Sequence, residues 1–422
     1  MTTIGLAGAG RIGAGLIRLL HTSPAARSLR LKTVLVRDAA RPRPELPAGT
    51  PLTACPAELT DDPQIDVVVE LLGGVDEPFG IVSRALSQGK AVVTANKNLL
   101  AERGPEIFAL AAERRLPLGY EASVCAGMPI IRTLQEALRV DRITALEGIV
   151  NGTSNYLLTR MSEERASYAQ CLADAQRLGF AEPDPGYDVS GQDAACKMGI
   201  LATLAFGACV DFRRLPTSGI DGLALEDVRQ AEAMGYRIKL VAAVRRPTGG
   251  RVDGEVAAVL LPLHHPLASI RMECNAVRIE SEGLGETLLA GRGAGPAPTA
   301  VTLLADLLDI AEGRARIPTA GHPFLAEVAG FADQQAAASR YYLRLAVADR
   351  PGTLAQVAGC FASQGISIAS VLQPEVPDFA GGSLVPLMLT THSTDRRRLD
   401  LVLAALAAAG WGRSGVLRIR EH

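Results

Sequence analysis

Over the first 125 residues, short apolar runs alternate with amphipathic stretches. Ile4–Ala7, Leu31–Val36, Asp66–Leu71, Ala91–Thr94 and Leu116–Tyr120 predict strands. Arg11–Leu20, Glu77–Ser87 and Pro105–Arg114 carry the helical period between them. A strand that is apolar at nearly every position must be covered on both faces. Its alternation with helices therefore predicts a parallel sheet with helices on both sides.

The pattern changes after residue 125. Longer helical patterns at Pro129–Arg139, Tyr168–Leu178 and Gly191–Phe206 mix with strand patterns at Ile143–Val150, Ile238–Val244, Val256–Leu261 and Ala276–Glu280. This predicts an α+β domain. The apolar stretch Thr299–Ile310, within a helix expected over 299–312, is suited to packing back on the first unit. Val328 to Arg340, rich in alanine, glutamine and serine, reads as a linker. Beyond it come a strand (Tyr341–Ala348), a helix (Thr353–Ser363), strands (Ile366–Leu372 and Ser383–Thr391), a helix (Asp395–Ala408) and a strand (Gly415–Arg420). That order is the split βαβ, or ferredoxin-like, arrangement. The expected domains are residues 1–125, 126–327 and 341–422.

Composition narrows the class. The chain is 48% hydrophobic and 21% charged with a net charge of −2, so it can bury large cores and carries no broad basic surface for nucleic acid. Its seven cysteines are scattered and form no CxxC pair, as expected of reduced thiols. The first residues enter a strand pattern at once, without a signal-peptide profile, and no apolar stretch reaches the ~20 residues of a membrane span. A cytoplasmic location is expected, with no membrane partner.

Gly8-Ala9-Gly10-Arg11-Ile12-Gly13 is a GxGxxG placed between the first strand and the first helix. In that context the glycines allow a tight turn and close approach of a pyrophosphate, and the helix N-terminus faces the phosphates. The first domain is thus a Rossmann dinucleotide-binding unit. After the second strand come Arg37 and Asp38, then Arg41 and Arg43. An arginine there accommodates a 2′-phosphate, so NADP is expected with Arg37 as its main contact; Asp38 leaves NAD open.

The chain has only five lysines against thirty-eight arginines. A lysine amine can be tuned for proton transfer and a guanidinium cannot. Lys197 lies four residues after Asp193 on a predicted helix, so the two share a face, and the apolar flanks place them partly inside. Upstream, Pro183 and Pro185 stiffen a loop carrying Glu182, Asp184 and Asp188, carboxylates suited to a substrate ammonium group. In the C-terminal unit, the turn Asp349–Leu354 opens a helix whose N-terminus can face a small carboxylate.

Taken in order, these stretches resemble the homoserine dehydrogenase family in its long form with a C-terminal ACT domain. The resemblance rests on Val69–Gly74, Gly89–Lys97, Tyr120–Val124, Asn151–Tyr156, Glu182–Lys197 and Gly291–Gly295. It departs from the usual pattern at Cys125 and at Gly186-Tyr187. It implies an α/β protein with a Rossmann domain, an α+β catalytic and dimerisation domain, and an ACT regulatory domain. It implies NAD(P)H-dependent reduction of L-aspartate 4-semialdehyde to L-homoserine and the reverse, in threonine, methionine and isoleucine biosynthesis. Lys197 is then the proton donor, with its pKa expected to be lowered by desolvation. Glu182 holds the substrate, while Asp188 and Asp193 position substrate and lysine. Lys97 is a second cationic group by the cofactor, and Gly73, Thr94 and Gly295 are further cofactor contacts. Which lysine dominates stays open. A monovalent cation, sodium in most of the family, is implied at Glu121, Val124, Ala126 and Met128. Threonine as an effector and a homodimer or homotetramer are also expected. The competing readings are an amino-acid-sensing protein with a merely structural dinucleotide domain, and a semialdehyde dehydrogenase with a catalytic cysteine. The intact GxGxxG and 182–197 segment argue against the first. The lack of a cysteine with a histidine partner argues against the second.

Overall fold

The computed structural model describes every residue except Pro42, Pro44, Glu45, 248–249, 334–336, 375–383 and 421–422, with backbone alone at 413–414. Two sheets organise it. The first holds β1 (Thr2–Ala7), β2 (Leu29–Leu35), β3 (Leu52–Thr53), β4 (Val67–Glu70), β5 (Ala91–Thr94) and β6 (Leu118–Gly119). Its order is β3-β2-β1-β4-β5-β6, parallel throughout. The order reverses between β1 and β4, the point at which such sheets open a ligand crevice. Leu16 and Ile17 of helix Arg11–Thr22 share a core with Ile4 and Leu6 of β1 and with Leu303 and Leu307 of helix Pro296–Ala311. Helices Asp76–Ser87 and Lys97–Arg114 cover the opposite face through Ile81, Leu100 and Phe108.

The second sheet holds β7 (Ile143–Ile149), β8 (Tyr236–Arg245), β9 (Asp253–Pro262), β10 (Cys274–Ser281), β11 (Gly285–Arg292), β12 (Arg340–Ala348), β13 (Ile368–Leu372), β14 (Leu384–Thr391) and β15 (Gly412–Ile419). Their order is β11-β10-β7-β8-β9-β15-β12-β14-β13. Strands β12 to β15 are the ferredoxin-like unit, antiparallel among themselves. Its last strand joins the middle domain by two parallel rungs, Arg418↔Val259 and Ile419↔Leu260. So the unit expected behind a linker continues the sheet of its neighbour. Side chains reinforce the joint: Tyr342 Oη and Arg344 Nε both donate to Asp227 Oδ1, at 3.0 and 2.7 Å. The expected linker is also tied down. Ala329 N donates to Cys209 O and Val252 N to Gly330 O, while 334–336 lie outside the described residues.

Three local readings are corrected. The helix expected from Pro105 starts at Lys97 and keeps Pro105 inside it, with Asn96 as its cap accepting from Leu99 N at 3.1 Å. A proline loses one helix bond, and the buried face of this helix outweighs that loss. The helix expected over 129–139 is one short α-turn, Ile130–Arg132, running into a π-turn, Thr133–Ala137. Helix Gly152–Glu164 was not legible because Ser154, Asn155 and Thr159 are buried alongside its apolar residues, which erases the amphipathic stripe.

Candidate active site

The fingerprint loop follows β1 as expected. Gly8 has φ +104°, and Gly13 has no room for a side chain: an added Cβ would lie 2.2 Å from Gly8 O. Gly8 N donates to Leu35 O at 2.9 Å, which brings the loop beside the end of β2, where Arg37 and Asp38 stand exposed. Helix Arg11–Thr22 opens at Gly10, directly after the glycine turn, and no side chain caps its first N–H groups, as a pyrophosphate site requires.

Across the crevice, Glu70 ends β4 fully buried. Its Oε1 accepts from Leu72 N at 2.7 Å and its Oε2 from Thr94 Oγ1 at 2.7 Å. Burial pushes its carboxyl up, against the pull of these hydrogen bonds. Thr94 Oγ1 also accepts from Asn96 N at 3.0 Å, and Asn96 Nδ2 donates to Gly74 O at 2.8 Å. The network fixes the Gly73-Gly74 turn, where both residues have positive φ, against the start of helix Lys97–Arg114. Lys97 thus stands at the head of that helix, on the crevice wall.

The middle domain supplies the facing wall. Helix Gln192–Phe206 begins at Gly191 in the left-handed region and carries Asp193 and Lys197 one turn apart. Asp193, 3% exposed, bridges both lysines: Lys197 Nζ lies 2.8 Å from its Oδ2 and Lys97 Nζ 3.2 Å from its Oδ1. Asn151 Nδ2 donates to Asp193 Oδ2 at 2.8 Å and to Asp188 Oδ1 at 2.7 Å. Thr153 Oγ1 donates to Phe180 O at 2.8 Å and lies 3.2 Å from Asp188 Oδ2. Asn151 is itself the cap of helix Gly152–Glu164, accepting from Ser154 N at 2.8 Å. Lys97, Asp188, Asp193 and Lys197 therefore form one cluster.

Burial alone would raise the Asp193 carboxyl, but Lys197 and Lys97 outweigh it and hold it at about 2. For Lys197, burial works downward, and the adjacent Asp193 anion overrides it, so the ammonium sits above the ordinary lysine range. The expected lowering of Lys197 is thus reversed: desolvation is present, but an anion 2.8 Å away dominates. Besides that pair, Lys197 Nζ donates to Val150 O at 2.9 Å. An ammonium has three N–H bonds, so one is left for a substrate oxygen.

Some expected residues lie apart. Glu182 is exposed on the loop before Asp188, and its backbone, held by Gln176 Nε2 at 3.2 Å, is what fixes it. Gly295 caps helix Pro296–Ala311, whose first turn meets helix Arg11–Thr22: an added Cβ at Gly15 would lie 3.5 Å from Pro296 O. The departure at Tyr187 puts its ring 5.7 Å from Lys97 Nζ and its hydroxyl 3.0 Å from Asn98 Oδ1.

The stretch Glu121–Met128 forms a tight turn. Both Glu121 carboxylate oxygens accept backbone N–H groups, Ile131 and Arg132, each at 2.8 Å. Burial raises this carboxyl to about 7. Ala126 O accepts from Thr302 Oγ1, and Met128 O from Ile130 N at 2.8 Å. A carbonyl oxygen has two lone pairs, so these remain able to take a cation through backbone oxygens. Among the described residues no cluster of three histidine, cysteine or acidic side chains suits a metal. Cys125, within this turn, has φ +50°, and burial pushes its thiol up to about 12; Cys196 is raised to about 11 by the same cause. Neither is an activated nucleophile.

Glu70, Asn96, Asn151 and Thr153 were not singled out from the sequence. A lone carboxylate in the apolar run Val67–Leu71 was a signal for the first. The others are caps and hydroxyls whose roles appear only once the helices are placed.

A family model described as Homoserine dehydrogenase matches residues 129–308, one described as Homoserine dehydrogenase, NAD binding domain, matches 8–121, and an ACT domain model matches 341–410. The homoserine dehydrogenase of Pseudomonas aeruginosa is 40% identical, aligned over 99% of this chain and 98% of its own. That of Bacillus subtilis is 37% identical over 96% and 94%. The crystal structure of a homoserine dehydrogenase from Thiobacillus denitrificans superposes with a TM-score of 0.88 at 36% identity, covering 100% of this chain and 98% of that one.

Proposed function

The chain belongs to the homoserine dehydrogenase family of NAD(P)-dependent oxidoreductases, and from that we propose that it interconverts L-aspartate 4-semialdehyde and L-homoserine. The product feeds threonine, methionine and isoleucine synthesis. The observation that carries this reading is the Asp193 bridge between Lys97 and Lys197 at the crevice. The bound nicotinamide supplies the hydride in one direction and accepts it in the other. Lys197 gives a proton to the substrate oxygen during reduction and takes it back during oxidation. Asp193 holds that ammonium in place and keeps it protonated. Asp188, held by Asn151, faces the substrate ammonium together with Glu182. Lys97, on the crevice wall and paired with Asp193, would stand close to both cofactor and substrate.

Gly8, Ala9, Gly10, Arg11, Ile12 and Gly13 cradle the pyrophosphate, with Gly73, Thr94 and Gly295 lining the rest of the cofactor site. Arg37, exposed at the end of β2, supports NADP as the preferred cofactor. Backbone oxygens of the Glu121–Met128 turn would hold a monovalent cation, sodium by our reading, and this would stiffen the turn beside Lys197. The C-terminal domain makes the enzyme sensitive to threonine. Exposed Val371, Leu372 and Leu384, on strands β13 and β14 at one rim of the large sheet, support self-association as a dimer or tetramer. No helix among the described residues is long and apolar enough to cross a membrane. We take the protein to act in the cytoplasm.

The test is steady-state oxidation of L-homoserine with NADP and with NAD, followed by nicotinamide absorbance. Lys197→Ala should lose roughly 10²–10⁴-fold in turnover while still folding by circular dichroism, with a lowered melting temperature because buried Asp193 loses a charged partner. Undiminished turnover in a folded variant would remove Lys197 from the stated role.

A further inference from the structure

The lysine–aspartate cluster is assembled from two domains, so its geometry depends on how the crevice walls are held in register. Lys97 opens helix Lys97–Arg114 on the dinucleotide side, whereas Asp188, Asp193 and Lys197 belong to the catalytic side. The Lys97–Asp193 pair, at 3.2 Å, is a poor ruler by itself: an ammonium on a flexible four-carbon stem can hold its partner from many directions. One residue further on, a stiffer contact crosses the crevice. Asn98 Oδ1 accepts from Tyr187 Oη at 3.0 Å and from Cys196 Sγ at 3.6 Å. Cys196, on the helix between Asp193 and Lys197, also places its Sγ 3.7 Å from Lys97 O.

Tyr187 is well mounted for this contact. It lies in the short helix Gly186–Val189, immediately before Asp188. Gly186 N donates to Asp184 Oδ1 at 3.0 Å, and Val189 O accepts from Ile220 N at 2.9 Å, so the turn is tied on both sides of the tyrosine. A tyrosine has only two side-chain torsions to fix, so a tied backbone fixes its hydroxyl as well. The ring meets the same lysine from another side, with Lys97 Nζ 5.7 Å from its centroid, within the range of a cation–π contact. Tyr187 is 43% exposed, so little of it serves the core. Its specific contacts go to the head of helix Lys97–Arg114.

We propose that Tyr187 is a positioning residue for the Lys97 ammonium: a strut from the loop carrying Glu182 and Asp188 to the first turn of the helix carrying Lys97. The hydroxyl fixes the helix head through Asn98, and the ring face holds the ammonium. The proposal rests on reading the cluster as the site of homoserine oxidation, and it makes Tyr187 act through Lys97.

The test uses full-length protein and kcat/KM for homoserine oxidation, with folding checked by circular dichroism. Tyr187→Phe, which keeps the ring and removes the bond to Asn98, should lose roughly fivefold. Tyr187→Leu, which removes both contacts, should lose roughly thirtyfold. The deciding readout is a double-mutant cycle with Lys97→Met. With no ammonium left to place, the same Tyr187 substitutions should cost less than about twofold. Equal losses with and without Lys97 would mark a merely structural tyrosine and overturn the proposal. Tyr187→Phe combined with Asn98→Ala should lose no more than the worse single variant, because both break one bond; additive losses there would remove the strut. In both of these failures the parent still oxidises homoserine, so the proposed function stands. A parent that does not oxidise homoserine overturns both.

Discussion

Asp193 carries opposing demands in a few atoms. It is nearly buried, yet it faces two ammonium groups and one amide donor. Its effect on Lys197 has a clear sign. With the Lys197 ammonium held above its ordinary range, the free base needed for homoserine oxidation forms only at high pH. We expect kcat/KM for oxidation to climb with pH through and beyond ~10.4, the unperturbed lysine value. Asp193→Asn removes the anion and leaves burial in charge, so the rising limb should move to lower pH while the maximal rate falls. The same aspartate contributes to stability. Its folded pKa, about 2, lies below the unfolded value, so that contribution is present above ~3.9 and fades as pH falls towards about 2. Acid titration of Asp193→Asn, followed by circular dichroism, should show less loss in that window. At this scale the sequence was partly legible. Lysine scarcity drew notice to the right two residues, but it equally marked Lys90 and Lys239. Lys90 Nζ donates to Asp62 O and Ile65 O, and Lys239 Nζ to Asn155 Oδ1 and Ile270 O. Both are internal ties, and nothing in their local sequence separates a buried tie from a proton donor.

Among elements, apolar strands were the easiest to read, because burial on both faces writes itself as an unbroken run. Helices were harder where polar residues face inward. Helix Gly152–Glu164 is the case in point: Asn155 Nδ2 donates to Ile270 O, Met272 O and Cys274 O, so its polar side chains pin a loop. The cap of that helix does two jobs. Asn151→Ala should cost ~1 kcal/mol from the lost cap, measured by urea unfolding. It should also depress kcat beyond what instability explains, because Asp188 and Asp193 both lose a donor. Asn151→Ser, which still caps, should recover stability without recovering turnover. At the end of β2 the expectation is separable in the same way. Arg37→Ala should raise KM for NADP about tenfold and leave KM for NAD nearly unchanged. Equal effects on both cofactors would assign Arg37 a role unrelated to the 2′-phosphate.

For the whole molecule, three domains were visible in the changing period of the chain, but their relation was not. A linker composition suggested an appended C-terminal unit, and the chain instead places that unit's final strand beside β9. Two hydrogen-bonded rungs between strands distant in sequence leave no local pattern. The joint is held by the buried group Tyr342–Asp227–Arg344 as well. Arg344→Met should destabilise the full-length protein by about 3 kcal/mol, since Asp227 stays buried with its charge uncompensated. Adding Asp227→Leu should restore most of that loss in the same urea titration.

The joint also has a consequence in time. Every other strand of the large sheet is synthesised before β15, and β9 precedes it by some 150 residues of chain. Until β15 arrives, β9 presents an open strand edge, the kind of surface on which chains pair with the wrong partner. A nascent or truncated chain is therefore at its most adhesive just when its catalytic half is otherwise complete, and only the last strand of the chain silences that edge.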